Sequence, residues 1–258
     1  MASLNHAPLR ISRITASRRQ TGPAPKAGAG IAGNRLIALL PHTDRMRLRE
    51  CGEAVELVPA QVLCEPGRPT RHVYFPIDGS ISLITSLDRD SFIEVGMVGR
   101  EGMLGVQLAF GVAIDSLHAE VQAPGDAWRI DRAAFRRELS ASAGLHRVLQ
   151  RYVHVLMSQL ATSVACSHFH LIGARLACWL LMSQDRTSGE RMQVTHEFLA
   201  RALGVQRAGV TRAASSLQRR GLIEYRRGKV EVLDREALEG EACACYATHR
   251  RLYAESMR

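Results

Sequence analysis

The sequence is poor in aromatic residues, at 5% of its 258 positions, so a packed core has to rest on aliphatic side chains. No apolar run approaches the roughly 18 residues that a membrane-crossing helix needs, so no membrane span is expected. The first 33 residues lack the continuous apolar stretch of an export signal. Cysteine is sparse as well. Cys51, Cys64, Cys166, Cys178, Cys243 and Cys245 are scattered along a chain with no export signal, which argues against a disulfide scaffold and for the cytoplasm. The motifs GxxxxGK[ST], HExxH, GxSxG and CxxC are missing. Glu94, Glu101 and Asp115 do not form a spaced acid pair on any evident helix. No catalytic site and no cofactor are therefore expected.

What is present is positive charge, placed unevenly. The formal net charge is +9. The first 33 residues hold Arg10, Arg13, Arg18, Arg19 and Lys26 and no acidic residue. The segment from Val194 to Val232 holds a second excess, and elsewhere the two signs nearly cancel. A footprint concentrated this way points to nucleic acid. Residues 1–33, rich in Ala, Arg, Gly, Pro and Ser, read as a disordered basic arm.

Texture divides the remainder. Asn34 is placed to cap a short helix that Pro41 stops, and Asp44 to Cys51 reads as a second helical piece. From Val55 to about Ile130, short apolar or β-branched runs alternate with Pro/Gly/Asp turns: VELVPAQVLC, HVYFPIDG, SISLITSL, FIEVGMVG, LHAEVQAPG and AWRI. That spacing predicts a β barrel or jelly roll over residues 34–131. From about Ala133 to Met182 the pattern is helical. Leu149, Val153, Leu156, Met157, Leu160 and Val164 form one apolar stripe, with a break near Ser167–Leu171. Residues 132–182 thus read as a dimerisation segment. The plainer alternative is that the stripe packs on the barrel.

Residues 183–238 carry the most specific pattern. Thr195 can cap a helix from Glu197 to Ala202, Leu203-Gly204-Val205 makes a turn, and a second helix runs from Gln206 to about Arg219. Phe198, Leu199, Leu203, Val210 and Leu217 point inward. Two apolar runs, Leu222–Tyr225 and Lys229–Leu233, flank the basic turn Arg226-Arg227-Gly228. This is the shape of a winged helix-turn-helix. Its candidate DNA-binding residues are Gln206, Arg207, Thr211, Arg212 and Ser215 on the helix, with Arg219, Arg220, Arg226, Arg227 and Lys229 as phosphate contacts. Residues 239–258 read as a helical tail. Cys243-x-Cys245 with His249 looks faintly like a metal site, but no second close pair accompanies it in sequence, and packing is the favoured reading. Cys64, His72, His154 and His170 have the chemistry of haem ligands; a structural role is the expectation for each.

With RHVYFPIDGSISLI, GMVGREGMLGVQLAFG and the winged module in this order, residues 34 to 238 resemble the catabolite-activator and fumarate-nitrate-reductase (Crp/Fnr) type of bacterial transcription regulators. The resemblance implies an α+β architecture: an N-terminal cyclic-nucleotide-binding-type β jelly roll, a long dimerisation helix and a C-terminal winged helix-turn-helix. It implies a homodimer on a palindromic operator in double-stranded DNA, RNA polymerase as a further partner, and an effector of unassigned identity. The family's nucleotide pocket uses an Arg on the cyclic phosphate and a Glu on the ribose. Here Leu117 and Leu108 fall at those places, and His118 stands where Ser or Thr is usual. Tight binding of cyclic AMP is not expected. His118 reads as a solvent-facing strand histidine. In the recognition helix, Arg207 and Arg212 match the family's two arginines, while Ala208 replaces a Glu. The rival reading is a small-molecule sensor or scaffold that does not bind DNA.

Overall fold

The computed structural model describes residues 30–86, 92–189 and 191–258. Most of the expected basic arm lies outside them. Its last residues are ordered: Ile31–Gly33 forms a 3-10 turn and Ile31 is buried, because its side chain joins an apolar cluster with Leu36, Ile37 and Phe135. Asn34 then caps α1 (Arg35–Ala38). Its Oδ1 accepts from the amides of Leu36 and Ile37, and its Nδ2 donates to the carbonyls of Pro76 and Gly102, each at 2.9 Å. One fully buried side chain thus closes a helix and ties it to the β domain. Helix α2 (His42–Glu50) follows.

Among the described residues of the N-terminal part, seven strands form two antiparallel sheets. β1 (Gly52–Leu57), β7 (Gly125–Asp131) and β3 (His72–Pro76) make one, in that order. β2 (Val62–Cys64), β6 (His118–Ala123), β4 (Ser80–Ser86) and β5 (Phe92–Val98) make the other. The run VELVPAQVLC splits into two strands at Pro59-Ala60, where Ala60 takes a left-handed conformation (φ 63°). Leu57, Ile81, Leu83, Val98, Ala119 and Val121 pack between the sheets. His118 departs from expectation. It is buried, not solvent-facing, because β6 is an inner strand that sets His118 opposite Ile84 and within 3.5 Å of the Glu120 carboxylate.

Three helices lead out of the barrel: α3 (Arg132–Ala141), α4 (Ala143–Phe169) and α5 (Ile172–Gln184). Ser142 Oγ accepts from the Leu145 amide and caps α4, and the chain breaks at His170–Leu171 as the sequence indicates. The apolar stripe of α4 divides between two faces. Leu149 is buried with Tyr152 and Val155 in the N-terminal cluster, and Leu156 leans on the barrel core. Met157 (64% exposed) and Val164 (68%) point outward. Helix α5, which the sequence groups with the dimerisation segment, instead supplies Leu176 to Leu181 to the core of the C-terminal module.

That module docks on β5. Arg186, at the end of α5, is 7% exposed and pairs with Glu101 at 2.8 Å, while its stem lies across Gly99, where any Cβ would collide with it. Trp179 Nε1 donates to Glu94 Oε1 (2.8 Å), and Ser82 Oγ donates to the other oxygen of the same carboxyl. Burial holds Glu94 up at about 7, against 4.5 for an ordinary glutamate. Among the described residues no helix is long and apolar enough to cross a membrane.

Two outcomes are expected. Asn34→Ala removes a cap and leaves two buried carbonyls without donors, a loss of about 2–4 kcal/mol in urea denaturation; a loss under about 1 kcal/mol would contradict the role given to Asn34. For Glu94, the folded pKa lies above the unfolded one. The stability due to the neutral acid is complete below about pH 4.5 and is lost as pH rises through about 7. The wild type should therefore lose more stability than Glu94→Gln between about pH 5 and about pH 8. Equal pH dependence of the two proteins would show that Glu94 does not titrate in this window.

Candidate DNA interface

The C-terminal module begins with a strand that the sequence does not betray, β8 (Arg191–Gln193). It pairs with β10 (Lys229–Val232), which pairs in turn with β9 (Ile223–Arg226). Arg227 and Gly228 form the connecting turn, both with positive φ (51° and 76°), the two-residue hairpin geometry that matches strand twist. The wing is thus a three-stranded sheet with its basic turn at one end.

Two helices precede it. Thr195 Oγ1 accepts from the Phe198 amide and caps α6 (His196–Leu203). Gly204 closes α6 in a left-handed conformation (φ 61°), where a Cβ would meet Ile93 of β5 at 2.9 Å. The chain then enters α7 (Arg207–Arg219) through Gln206. Val210, Ala214 and Leu217 are buried along one side of α7, packed with Leu199, Leu203 and the α5 leucines. This burial decides which side of α7 faces out.

All ten candidate DNA-binding residues are exposed. Gln206, Arg207, Thr211, Arg212 and Ser215 lie on the outer side of α7. Arg226, Arg227 and Lys229 line the wing turn. Among the described residues, no ion pair involves Arg207, Arg212, Arg219, Arg226, Arg227 or Lys229. Two of the ten are already engaged within the chain. Arg220 makes a two-pronged contact with Glu241, 2.5 Å on each prong. Thr211 Oγ1 donates to the Arg207 carbonyl (3.0 Å) and lies 3.1 Å from His196 Nδ1.

Sequence reasoning missed the residues that hold helix and wing together. His196 stacks on Tyr225 at 4.4 Å between ring centroids while touching Thr211 of α7. Burial, with the nearby Arg207 charge, lowers the His196 pKa, which favours the neutral ring. Tyr225 donates its hydroxyl to the Val194 carbonyl (2.7 Å), and its amide donates to Gln218 Oε1 (3.1 Å). A histidine one residue after a cap and a tyrosine four residues beyond Gly221 leave no periodic signal. Only the fold puts them face to face.

Two other places were singled out in sequence. In the barrel, Leu108 is buried among apolar neighbours and Leu117 packs against the core. Of the acidic residues, Glu94 and Glu101 are tied up as described, and Asp115 accepts from the Leu117 amide. At the C-terminal end, α8 (Arg235–Glu241) and α9 (Cys245–Ser256) replace the single tail. His249 is buried with both ring nitrogens unpartnered, and the cysteines meet a different histidine: Cys245 Sγ lies 3.5 Å from His170 Nδ1, and Cys243 Sγ lies 3.5 Å from Cys166 Sγ.

Two family models match the chain. The cyclic nucleotide-binding domain covers residues 54–142, and the Crp-like helix-turn-helix domain covers residues 174–241. No curated protein matches it. Among solved structures, FixK2 from Bradyrhizobium japonicum is similar at 15% identity and a TM-score of 0.63, covering 75% of this chain and 98% of its own. The c-di-GMP responsive global regulator CLP of Xanthomonas campestris is similar at 18% identity and a TM-score of 0.59, covering 74% and 99%. A CRP-family transcriptional regulator of Thermus thermophilus is similar at 22% identity and 0.59, covering 73% and 96%. At these identities the likeness establishes the fold. The two domain models, matched in the order barrel then helix-turn-helix and together spanning more than half of the sequence, place the chain in the Crp/Fnr family of transcriptional regulators.

Proposed function

We propose that the chain is a cytoplasmic, homodimeric regulator that reads a palindromic operator through α7 and holds the flanking phosphates with its wing. The observation that carries this reading is the outer side of α7. Gln206, Arg207, Thr211, Arg212 and Ser215 are exposed on a helix whose other side is locked into an apolar core. Arg207 and Arg212 can each pair with guanine O6 and N7 in the major groove, and Gln206 can read an adenine. Ala208 can offer only an apolar contact, so the half-site differs at the base that a Glu would read. Arg219, Arg226, Arg227 and Lys229 bind phosphates, as does Arg220 once Glu241 releases it; Thr211 and Ser215 add neutral bonds. RNA polymerase is the further partner.

The outward side of α4 supports the dimer. Met157 and Val164 lie seven residues apart, and Phe169 (76% exposed) and Leu171 (84%) follow at the helix end. Single exposed apolar residues are ordinary, but Met157 and Val164 at heptad spacing on one side of α4, with two more exposed apolar side chains at its end, suit a two-fold helix pair. The barrel is the sensor module. Leu117 and Leu108 supply no charge for a cyclic phosphate or a ribose, so cyclic AMP is not its ligand. Ile93 of β5 packs at Gly204 and Arg201 of α6 lies over the Phe92 ring, so a change in β5 reaches the turn that leads into α7.

Selection and sequencing of genomic fragments by the purified protein, with and without cyclic AMP or cyclic di-GMP, tests this. A palindromic site enriched without either nucleotide is expected. Arg207→Ala should lose about 1–3 kcal/mol of discrimination at one base pair per half-site. A loss spread evenly over all sequences would refute base reading by Arg207. Enrichment only with cyclic AMP would overturn the reading of Leu117 and Leu108.

A further inference from the structure

Two pairs of side chains far apart in sequence meet where the barrel-side helix α4 gives way to the C-terminal module. Cys166 and His170 are four residues apart at the end of α4, one helical turn, so both point to the same side. Cys243 lies between α8 and α9, and Cys245 is the first residue of α9. The four ligand atoms, three Sγ and one His Nδ1, all lie within 4.8 Å of one another. Cys166 Sγ and Cys243 Sγ are 3.5 Å apart, as are Cys245 Sγ and His170 Nδ1. All six cysteines of the chain are free thiols.

We infer that Cys166, His170, Cys243 and Cys245 form a tetrahedral site for a zinc-class divalent ion. A tetrahedron with metal–sulfur bonds of about 2.3 Å and a metal–nitrogen bond of about 2.0 Å has edges of about 3.8 Å between sulfurs and about 3.5 Å between sulfur and nitrogen. Two of the six spacings, at 3.5 Å, lie within a few tenths of an ångström of these edges, and the other four are no longer than 4.8 Å. Three thiolates and one imidazole suit zinc, and they exclude magnesium, calcium and manganese, which prefer oxygen. Four protein donors leave no open position, so the site is structural rather than catalytic. The Cys243 amide donates to the Ala174 carbonyl of α5, which fixes the backbone that presents the two C-terminal ligands. A cleft of about 80 Å³ lined by Cys166, Cys178, Cys245 and His249 offers an entry path.

The placement gives the ion a task. Cys166 and Cys243 are 77 residues apart, and the loop between them contains the helix-turn-helix and the wing. His170 is the residue that ends α4. A bound ion clasps the module at its base, joins α9 to the end of α4, and fixes the angle at which α5 departs. Closing so long a loop removes conformational freedom from the unfolded chain, and an ion that binds only the folded form stabilises it. This site stands independently of the DNA-binding reading.

The test uses the full chain, purified under reducing conditions without chelator. Elemental analysis should find one zinc per chain, and added zinc should raise the melting temperature of the chelator-treated protein. Cobalt(II) in place of zinc should give the intense visible and thiolate charge-transfer bands of a tetrahedral site. Cys245→Ser and His170→Gln should each weaken cobalt binding by more than about 100-fold, beyond what losing a hydrogen-bond partner of a ligand costs. Cys51→Ser, outside the cluster, should match the wild type. Because the cobalt spectrum and zinc content are read on the wild type, the proposal remains open to refutation even if a variant fails to fold. Protein without zinc that gives an octahedral cobalt spectrum would overturn it. So would wild-type affinity in both ligand variants, or a disulfide joining Cys166 to Cys243 in freshly isolated protein.

Discussion

The docking of α5 on strand β5 is the constraint on which the arrangement depends. Its centre is the Arg186–Glu101 pair, nearly enclosed, with the arginine stem filling the space that Gly99 leaves. Such a pair is costly to break from one side, because the remaining charge is stranded in a poor solvent for it. Around it, Trp179 donates to Glu94, and the Gly204 turn of the helix-turn-helix rests on Ile93. One strand therefore belongs to the β barrel by its hydrogen bonds and to the C-terminal module by its contacts. Any signal that shifts β5 shifts the frame holding the recognition helix. This gives a physical route between modules without a separate linkage element.

The helix-turn-helix was legible because each of its features has a local cause. A threonine hydroxyl satisfies the first turn of α6, only glycine takes the left-handed turn cheaply, and Val210, Ala214 and Leu217 recur at helical spacing. The wing was legible from Arg226-Arg227-Gly228 between two short apolar runs. The barrel strands were legible from turns and short apolar runs. What escaped had causes remote in sequence. β8 is three residues long and exists only because β10 offers it an edge. The membership of α5 in the C-terminal core depends on which side of it meets α7. His118 reads as surface until β6 is set between β2 and β4. The apolar stripe on α4 looked uniform, yet part of it turns to its own barrel and part to the outside.

The cysteines make the same point for a site. Cys243-x-Cys245 alone carries little, since the nearest histidine along the chain, His249, bonds to neither thiol. The partners, Cys166 and His170, come from the far end of a 27-residue helix. Sequence spacing could not bring them together, because the whole winged module lies between. The candidate DNA interface, by contrast, lies in one continuous stretch, so its residues can be proposed from the sequence alone. Among the described residues, Arg220 alone of its basic side chains is bound by an acidic partner, Glu241, and that partner lies in the helix that leads to the cysteine pair.

The most direct test of the central claim is the salt dependence of duplex binding by the full-length protein. If α7 and the wing dock on DNA as described, the logarithm of the binding constant falls linearly with the logarithm of salt concentration. Replacing Arg226 and Arg227 together with alanine should then flatten that slope by about four for the dimer, about one for each of the four phosphates that are no longer neutralised. Binding that is insensitive to salt, or a slope that stays the same without both wing arginines, would contradict the account.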